Sequence, residues 1–229
     1  QERWIPQSPR ADRTWVLMMP GLGGDPNHFH WLARSLMQAG WPVLVLEHPG
    51  SDADAVQALL EGRQSFDGAA ALRDRLADLA AVLEAQQRGD LNIPGNEVVL
   101  MGHSLGALTA LLASGAELVP GMAQRCEAAL AGLPLTNLSE LLQCELAAGR
   151  VLQSKAMDPP PRAVVGLNSF GGLIWPHRAS RALPIPLLMV GGTLDLITPP
   201  MDEQLALLAG LAEHPASRVV VVASRAAHR

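Results

Sequence analysis

Short apolar runs punctuate the chain at residues 14–19, 42–46, 97–101, 163–167, 186–190 and 218–223. They are rich in Val, Leu or Ile and lack the polar alternation of a half-buried strand. Such runs predict strands covered on both faces, and hence a central, mostly parallel sheet. Helical periodicity fills the intervals. Over 67–87, Leu72, Leu76, Leu79, Val82 and Leu83 recur at helical spacing with charges opposite, Asp67 stands as N-cap and Gly89 as stop. A second helix is predicted over about 27–39, with Asp25 as N-cap, Pro26 at the first helical position and Gly40 beyond the end. A third covers 201–212. Strand and helix alternating through short loops predict an α/β fold, an open sheet with helices on both faces.

The alternation lapses over 116–162. Leucines at 118, 130, 133, 135, 138, 141, 142, 146 and 152 lead there to the run Pro159-Pro160-Pro161, and no strand is predicted. The stretch reads as a helical cap insertion. No internal repeat and no Gly/Ser linker divides the chain, so 1–229 reads as a single domain.

Composition narrows the function classes. With 48% hydrophobic residues over 229 positions the chain can bury a large core, which excludes a disordered protein. Seventeen Lys+Arg against 22 Asp+Glu leave a net charge of -5 and no basic excess for phosphates, so nucleic acid is not an expected partner. No apolar run approaches the roughly 18 residues of a spanning helix, and no integral membrane segment is expected. Two cysteines, Cys126 and Cys144, lack metal-type spacing and suit free thiols in a reducing compartment, with one bridge as the alternative. A cytoplasmic location is the matching expectation, although a start at Gln1 leaves room for a removed leader.

The sharpest chemical feature is Gly102-His103-Ser104-Leu105-Gly106, a G-x-S-x-G pattern. Alone it is modest, but it directly follows the run at 97–101 and opens a helical stretch at Leu105. Strand, sharp turn and helix in that order make a nucleophile elbow, and the tight turn leaves no room for Cβ atoms at its glycines. Ser104 would stand at the C-terminal edge of the sheet with its Oγ exposed.

A serine hydroxyl needs an imidazole base, and the imidazole needs an acceptor to fix its tautomer. In an open α/β sheet reactive groups gather where strands end, which selects among the histidines and aspartates. Asp195 lies in Gly191-Gly192-Thr193-Leu194-Asp195, just after 186–190, and His228 follows 218–223 at a similar offset. The order Ser104, Asp195, His228 is the nucleophile, acid, base order of this architecture. For the tetrahedral oxyanion, the Leu105 backbone N–H is one expected donor. The Leu22 N–H, in the turn Pro20-Gly21-Leu22-Gly23-Gly24 after the first run, is the other. That glycine cluster lacks both a Lys-Ser/Thr ending and a full G-x-G-x-x-G, which disfavours a phosphate loop.

Other candidates read as bland. His28 and His30 near Asp25 lack a third ligand at metal spacing, so no metal is expected. His103 reads as a packed or capping group, Glu47 and His48 as weak candidates for shaping a substrate site, and Asn137-Leu138-Ser139 as a sequon by pattern only.

These residues resemble the α/β-hydrolase family. More narrowly, they are similar to the bacterial group described as predicted dienelactone hydrolases, related to platelet-activating-factor acetylhydrolases. The resemblance spans nearly the whole chain. It rests on Gly21-Leu22-Gly23-Gly24-Asp25, Glu47-His48-Pro49-Gly50-Ser51-Asp52, the elbow with Ala107-Leu108-Thr109-Ala110, Leu138-Ser139-Glu140-Leu141-Leu142-Gln143-Cys144 and the Asp195 loop. Departures are Pro20 where the family usually has His, Ser104 where dienelactone hydrolases proper typically use Cys, and Arg225 ahead of Ala226-Ala227-His228. The family usually continues with a helix after the base, so residues beyond Arg229 or a replacement for that helix are expected.

The expected function is that of a serine hydrolase cleaving a carboxylic ester through Ser104, His228 and Asp195, without a cofactor. The leucine-rich insertion implies a small-molecule ester with an apolar group. An acyltransferase or thioesterase using the same triad, a non-catalytic α/β-hydrolase-like binding protein and, more distantly, a lyase are the alternatives.

Overall fold

The computed structural model describes residues 1–132, 137–147, 156–176 and 182–223. Among them seven strands are found: β1 (Glu2–Trp4), β2 (Thr14–Met19), β3 (Val43–Val45), β4 (Glu97–His103), β5 (Ala163–Leu167), β6 (Leu187–Gly192) and β7 (Arg218–Val222). They form one sheet in the order β1-β3-β2-β4-β5-β6-β7. Every neighbouring pair is parallel except β1 with β3. The helices are α1 (His30–Gln38), α2 (Ala53–Leu60), α3 (Gly68–Gln87), α4 (Leu105–Ala113), α5 (Met122–Ala131), α6 (Ser139–Ala147) and α7 (Ala206–Leu211).

Strand β2 explains the absence of alternation in its sequence. All six of its residues are buried, Trp15, Leu17 and Met19 in one apolar cluster and Val16 and Met18 in another. Successive side chains of a strand leave opposite faces, so both faces are covered. The larger cluster takes in Leu72 and Leu79 of α3 and Leu105, Leu108 and Leu111 of α4; the smaller is closed by Leu32 and Leu36 of α1. Burial fades toward the far edge. Val220, Val221 and Val222 of β7 remain 46%, 44% and 56% exposed, against the expectation of a strand covered on both faces. Among the described residues β7 pairs on one side only, with β6.

The caps follow the sequence closely. Asp67 accepts from the Ala70 N–H at the start of α3, and Asp25 from the Asn27 N–H. Asp25 caps a 3-10 turn, Pro26–Phe29, and α1 begins only at His30. A single π turn, Met201–Leu205, precedes α7. Helix α2, capped by Asp52, and the three-residue strand β1 are additional to the predicted elements.

The stretch expected as a helical insertion contributes α5 and α6; Leu133, Leu135 and Leu152 lie outside the described residues. Cys126 of α5 and Cys144 of α6 are joined by a disulfide with Cα atoms 5.6 Å apart, so the expectation of free thiols is corrected. Spacing along the chain carried no information about the packing of α5 against α6, which brings the two together.

Candidate active site

Strand β4 leads straight into α4 through Ser104, whose backbone sits at φ 51° and ψ -117°. A non-glycine residue there costs about 1–3 kcal/mol, which the surrounding structure must impose. The imposing contacts are visible at the two glycines. A Cβ on Gly102 would lie 2.2 Å from the Gly106 carbonyl carbon, and one on Gly106 would lie 2.1 Å from the Met19 carbonyl oxygen. Only glycine lets β4, α4 and the end of β2 approach so closely. The Ser104 N–H donates to the Leu167 carbonyl at 2.9 Å, while its side chain caps no N–H of α4. The hydroxyl therefore has no part in holding the helix.

The turn after β2 passes beside this serine. A Cβ on Gly21 would come within 3.0 Å of His103 Nδ1 and 3.1 Å of Ser104 Cβ. Gly23, at φ 68°, donates its N–H to the Ser51 carbonyl at 2.9 Å, and the Gly24 N–H reaches the Gly21 carbonyl at 3.2 Å. Between these bonds the Leu22 N–H has no backbone acceptor among the described residues. Leu105 is the first residue of α4, so its N–H has no intrahelical acceptor either. A cavity of about 170 Å³ opens beside the Leu22 turn, with Pro49, Val56, Leu59 and Phe66 in its wall.

Asp195 lies in the turn after β6, two strands from β4. Its Oδ1 accepts from the N–H groups of Ile197 and Thr198, at 2.8 and 2.9 Å. Its Oδ2 accepts from Thr198 Oγ1 at 2.7 Å and from Asn168 Nδ2. Burial alone would raise its pKa, but the bonds from Thr198, Asn168 and Ile197 outweigh it and hold the carboxyl below the usual aspartate range. Asn168 is the first residue after β5 and sits at φ 45°. Ser104, Asn168 and Asp195 thus follow three adjacent parallel strands at one edge of the sheet. Asn168 and Thr198 were missed by sequence reasoning; applying the strand-end rule to 163–167 would have found Asn168.

The same edge is fastened to α6 by a buried carboxylate. Glu203, 1% exposed, accepts at Oε1 from Asn137, Ser139 and Gln143 side chains and at Oε2 from the Gly171 and Gly172 N–H groups. The Ser139 N–H also donates to the Ile197 carbonyl at 2.8 Å. The sequon asparagine is consumed in this network: Asn137 is buried and its amide serves Glu203.

Of the histidines, His228 lies outside the described residues. His48 is buried, with Nδ1 on Asp78 Oδ2 at 2.9 Å, and burial together with the nearby Arg75 charge pushes its pKa down to about 2. It is a neutral packing group, while Glu47 is exposed. Burial also lowers the His103 pKa, against the pull of Asp195, and the His103 ring lies tilted at 57° to Phe29 with centroids 6.0 Å apart. His30 pairs with Glu2 at 2.5 Å. No group of three His, Cys, Asp or Glu suited to a metal occurs among the described residues.

The chain matches no family model and no curated protein. Solved structures do match. Thermogutta terrifontis esterase 2, in a form phosphoramylated by tabun, aligns over 98% of this chain and 77% of its own, at 15% identity and a TM-score of 0.55. Dienelactone hydrolase from Anabaena variabilis aligns over 96% and 77%, at 19% identity and a TM-score of 0.56. A monoacylglycerol lipase from Paleococcus ferrophilus aligns over 97% and 88%, at 16% identity and a TM-score of 0.52. The likeness is one of architecture: this chain has the α/β-hydrolase fold.

Proposed function

We propose that this chain is a serine hydrolase that cleaves a carboxylic ester through an acyl-enzyme. The observation that carries the proposal is the Ser104 elbow, a strained serine between β4 and α4 whose hydroxyl caps nothing. Strain that serves no local bond is characteristic of a nucleophile presented to a substrate. Names among the structural neighbours, an esterase and a monoacylglycerol lipase, support the same chemistry.

In the proposed reaction Ser104 Oγ attacks the acyl carbon while the His228 imidazole takes its proton. The oxyanion is held by the Leu22 and Leu105 N–H groups. His228 returns the proton to the departing alcohol, and water then attacks the acyl-enzyme by the same route to free the acid and restore Ser104. Asp195, kept ionised by its hydrogen bonds, orients and charge-stabilises the imidazole. No cofactor enters. Val222 accepts from Thr193, so β7 ends beside the turn that leads to Asp195, and the chain from Val222 to His228 has a reach of about 20 Å.

Helices α5 and α6 act as a cap within a single domain, and the substrate carries an apolar group. Support comes from Leu194, Leu196, Ile197 and Met201, all exposed around Asp195, and from Leu138 and Leu141, exposed at the start of α6. No helix among the described residues is long and apolar enough to cross a membrane. The disulfide favours an oxidising compartment over the cytoplasm that went with free thiols.

A panel of p-nitrophenyl esters tests the proposal. Wild type should turn over with a preference for apolar acyl groups, and His228→Ala should lower kcat by several orders of magnitude. A wild-type rate in His228→Ala would remove His228 as base, and no turnover of any ester by wild type would contradict esterase activity.

A further inference from the structure

Arg75 stands on the inner face of α3, between Leu72 and Leu79, and is 1% exposed. Burying a guanidinium costs several kcal/mol unless its donors and charge are met. Among the described residues it forms no ion pair at contact distance; Asp78, one turn away, acts on it only through space. Its donors instead go to three neutral oxygens. Nη2 donates to the Pro20 carbonyl, Nη1 to Ser51 Oγ at 2.8 Å and Nε to Thr109 Oγ1 at 3.3 Å.

Those three acceptors are not scattered. Pro20 and Gly23 bracket Leu22, and both are held. The Pro20 carbonyl is bound by Arg75 directly, and the Gly23 N–H is bound by the carbonyl of Ser51, whose hydroxyl Arg75 also binds. Thr109 lies one turn along α4 from Leu105 and donates its hydroxyl to the Leu105 carbonyl at 2.9 Å. A single buried group thus links the segments that carry the two proposed oxyanion donors. A purely apolar core would be served better by Leu or Met at this place, which needs no desolvation.

We propose that Arg75 is a positioning residue that fixes the Leu22 and Leu105 N–H groups relative to each other, and so sets transition-state stabilisation without touching the substrate. The inference rests on the hydrolase function proposed above. Burial lowers the Arg75 pKa to about 9, so the group stays charged at neutral pH and its field also favours a developing oxyanion.

The test compares wild type with Arg75→Met, Arg75→Lys, Ser51→Ala and Thr109→Val. The readouts are kcat and KM for p-nitrophenyl butyrate and Ki for a trifluoromethyl ketone, which forms a tetrahedral adduct on the serine. Arg75→Met should lose about a hundredfold in kcat with KM changed less than about threefold, and its Ki should rise by the same factor as kcat/KM falls. Arg75→Lys should recover about tenfold of the loss. Thermal unfolding identifies variants that do not fold; if Arg75→Met is among them, Ser51→Ala and Thr109→Val should still each lose about tenfold in kcat with KM held. Wild-type kcat in the folded variants, or a Ki that stays put while kcat falls, would overturn the inference. A wild type without turnover removes the hydrolase function and this inference together, whereas an active wild type with an indifferent Arg75→Met removes this inference alone.

Discussion

The side-chain amide of Asn168, at the end of β5, donates to the carboxylate of Asp195 in the turn after β6. Two adjacent strand ends are thereby tied through the group proposed to orient the catalytic imidazole. Since the bond favours the charged carboxylate, its removal should be readable in the pH dependence of stability.

Asp195 has a depressed pKa in the folded chain, so the folded state binds its proton more weakly than the unfolded state does. The stability this contributes is present above the ordinary aspartate pKa, about 4, and is lost as pH falls through the lower folded value. Asn168→Ala should shrink the contribution. Urea unfolding between about pH 2 and 6 should show the variant's deficit appearing above about pH 4 and closing toward pH 2; a deficit constant over that range would mean Asn168 acts by packing.

The backbone of Ser104 predicts a trade between stability and activity. At φ 51° and ψ -117° glycine is unstrained and alanine is not, so Ser104→Gly should be about 1 kcal/mol more stable than Ser104→Ala, with both inactive. Gly102→Ala should cost about 3 kcal/mol or more, because its new methyl would meet the Gly106 backbone. Denaturant titration of the three variants is the check, and an equal stability for Ser104→Gly and Ser104→Ala would argue against the strain.

Glu203 accepts from five donors: the side chains of Asn137, just before α6, and of Ser139 and Gln143 within it, and the Gly171 and Gly172 N–H groups of the loop after β5. Glu203→Gln replaces one of those acceptors with a donor facing other donors. It should destabilise the chain by about 2–3 kcal/mol and lower kcat by loosening α6 against the Asp195 turn. Chemical denaturation and ester turnover measure the two effects; a neutral substitution would mean that the network tolerates an amide.

The Cys126–Cys144 bond closes a loop of about the length for which chain-entropy estimates give about 3 kcal/mol. Thiol titration of the unreduced, denatured protein should find no free thiol, and reduction should lower the unfolding temperature. Two titratable thiols would instead restore the free-cysteine expectation.

What the sequence reveals divides by distance along the chain. The elbow is legible because the residues that its sterics demand fall within five consecutive positions, Gly102 to Gly106. The caps at Asp67 and Asp25 are legible for the same reason. The apolar runs predict β2 and β7 alike, yet only long-range strand order makes one interior and the other a half-exposed edge. Helix α2 spans only eight residues and buries none of them fully, so its apolar positions, Val56, Leu59 and Leu60, are too few to mark a helix on their own. Asn168 and Arg75 act on partners 27 and 55 positions away, and only the folded chain brings those pairs together.

Ser104 as the nucleophile is the central claim, and intact and peptide mass spectrometry after exposure to a fluorophosphonate tests it most directly. Wild type should gain one adduct, carried by the peptide containing Ser104, and Ser104→Ala should gain none. An unlabelled wild type, or an adduct that persists in Ser104→Ala, would contradict it.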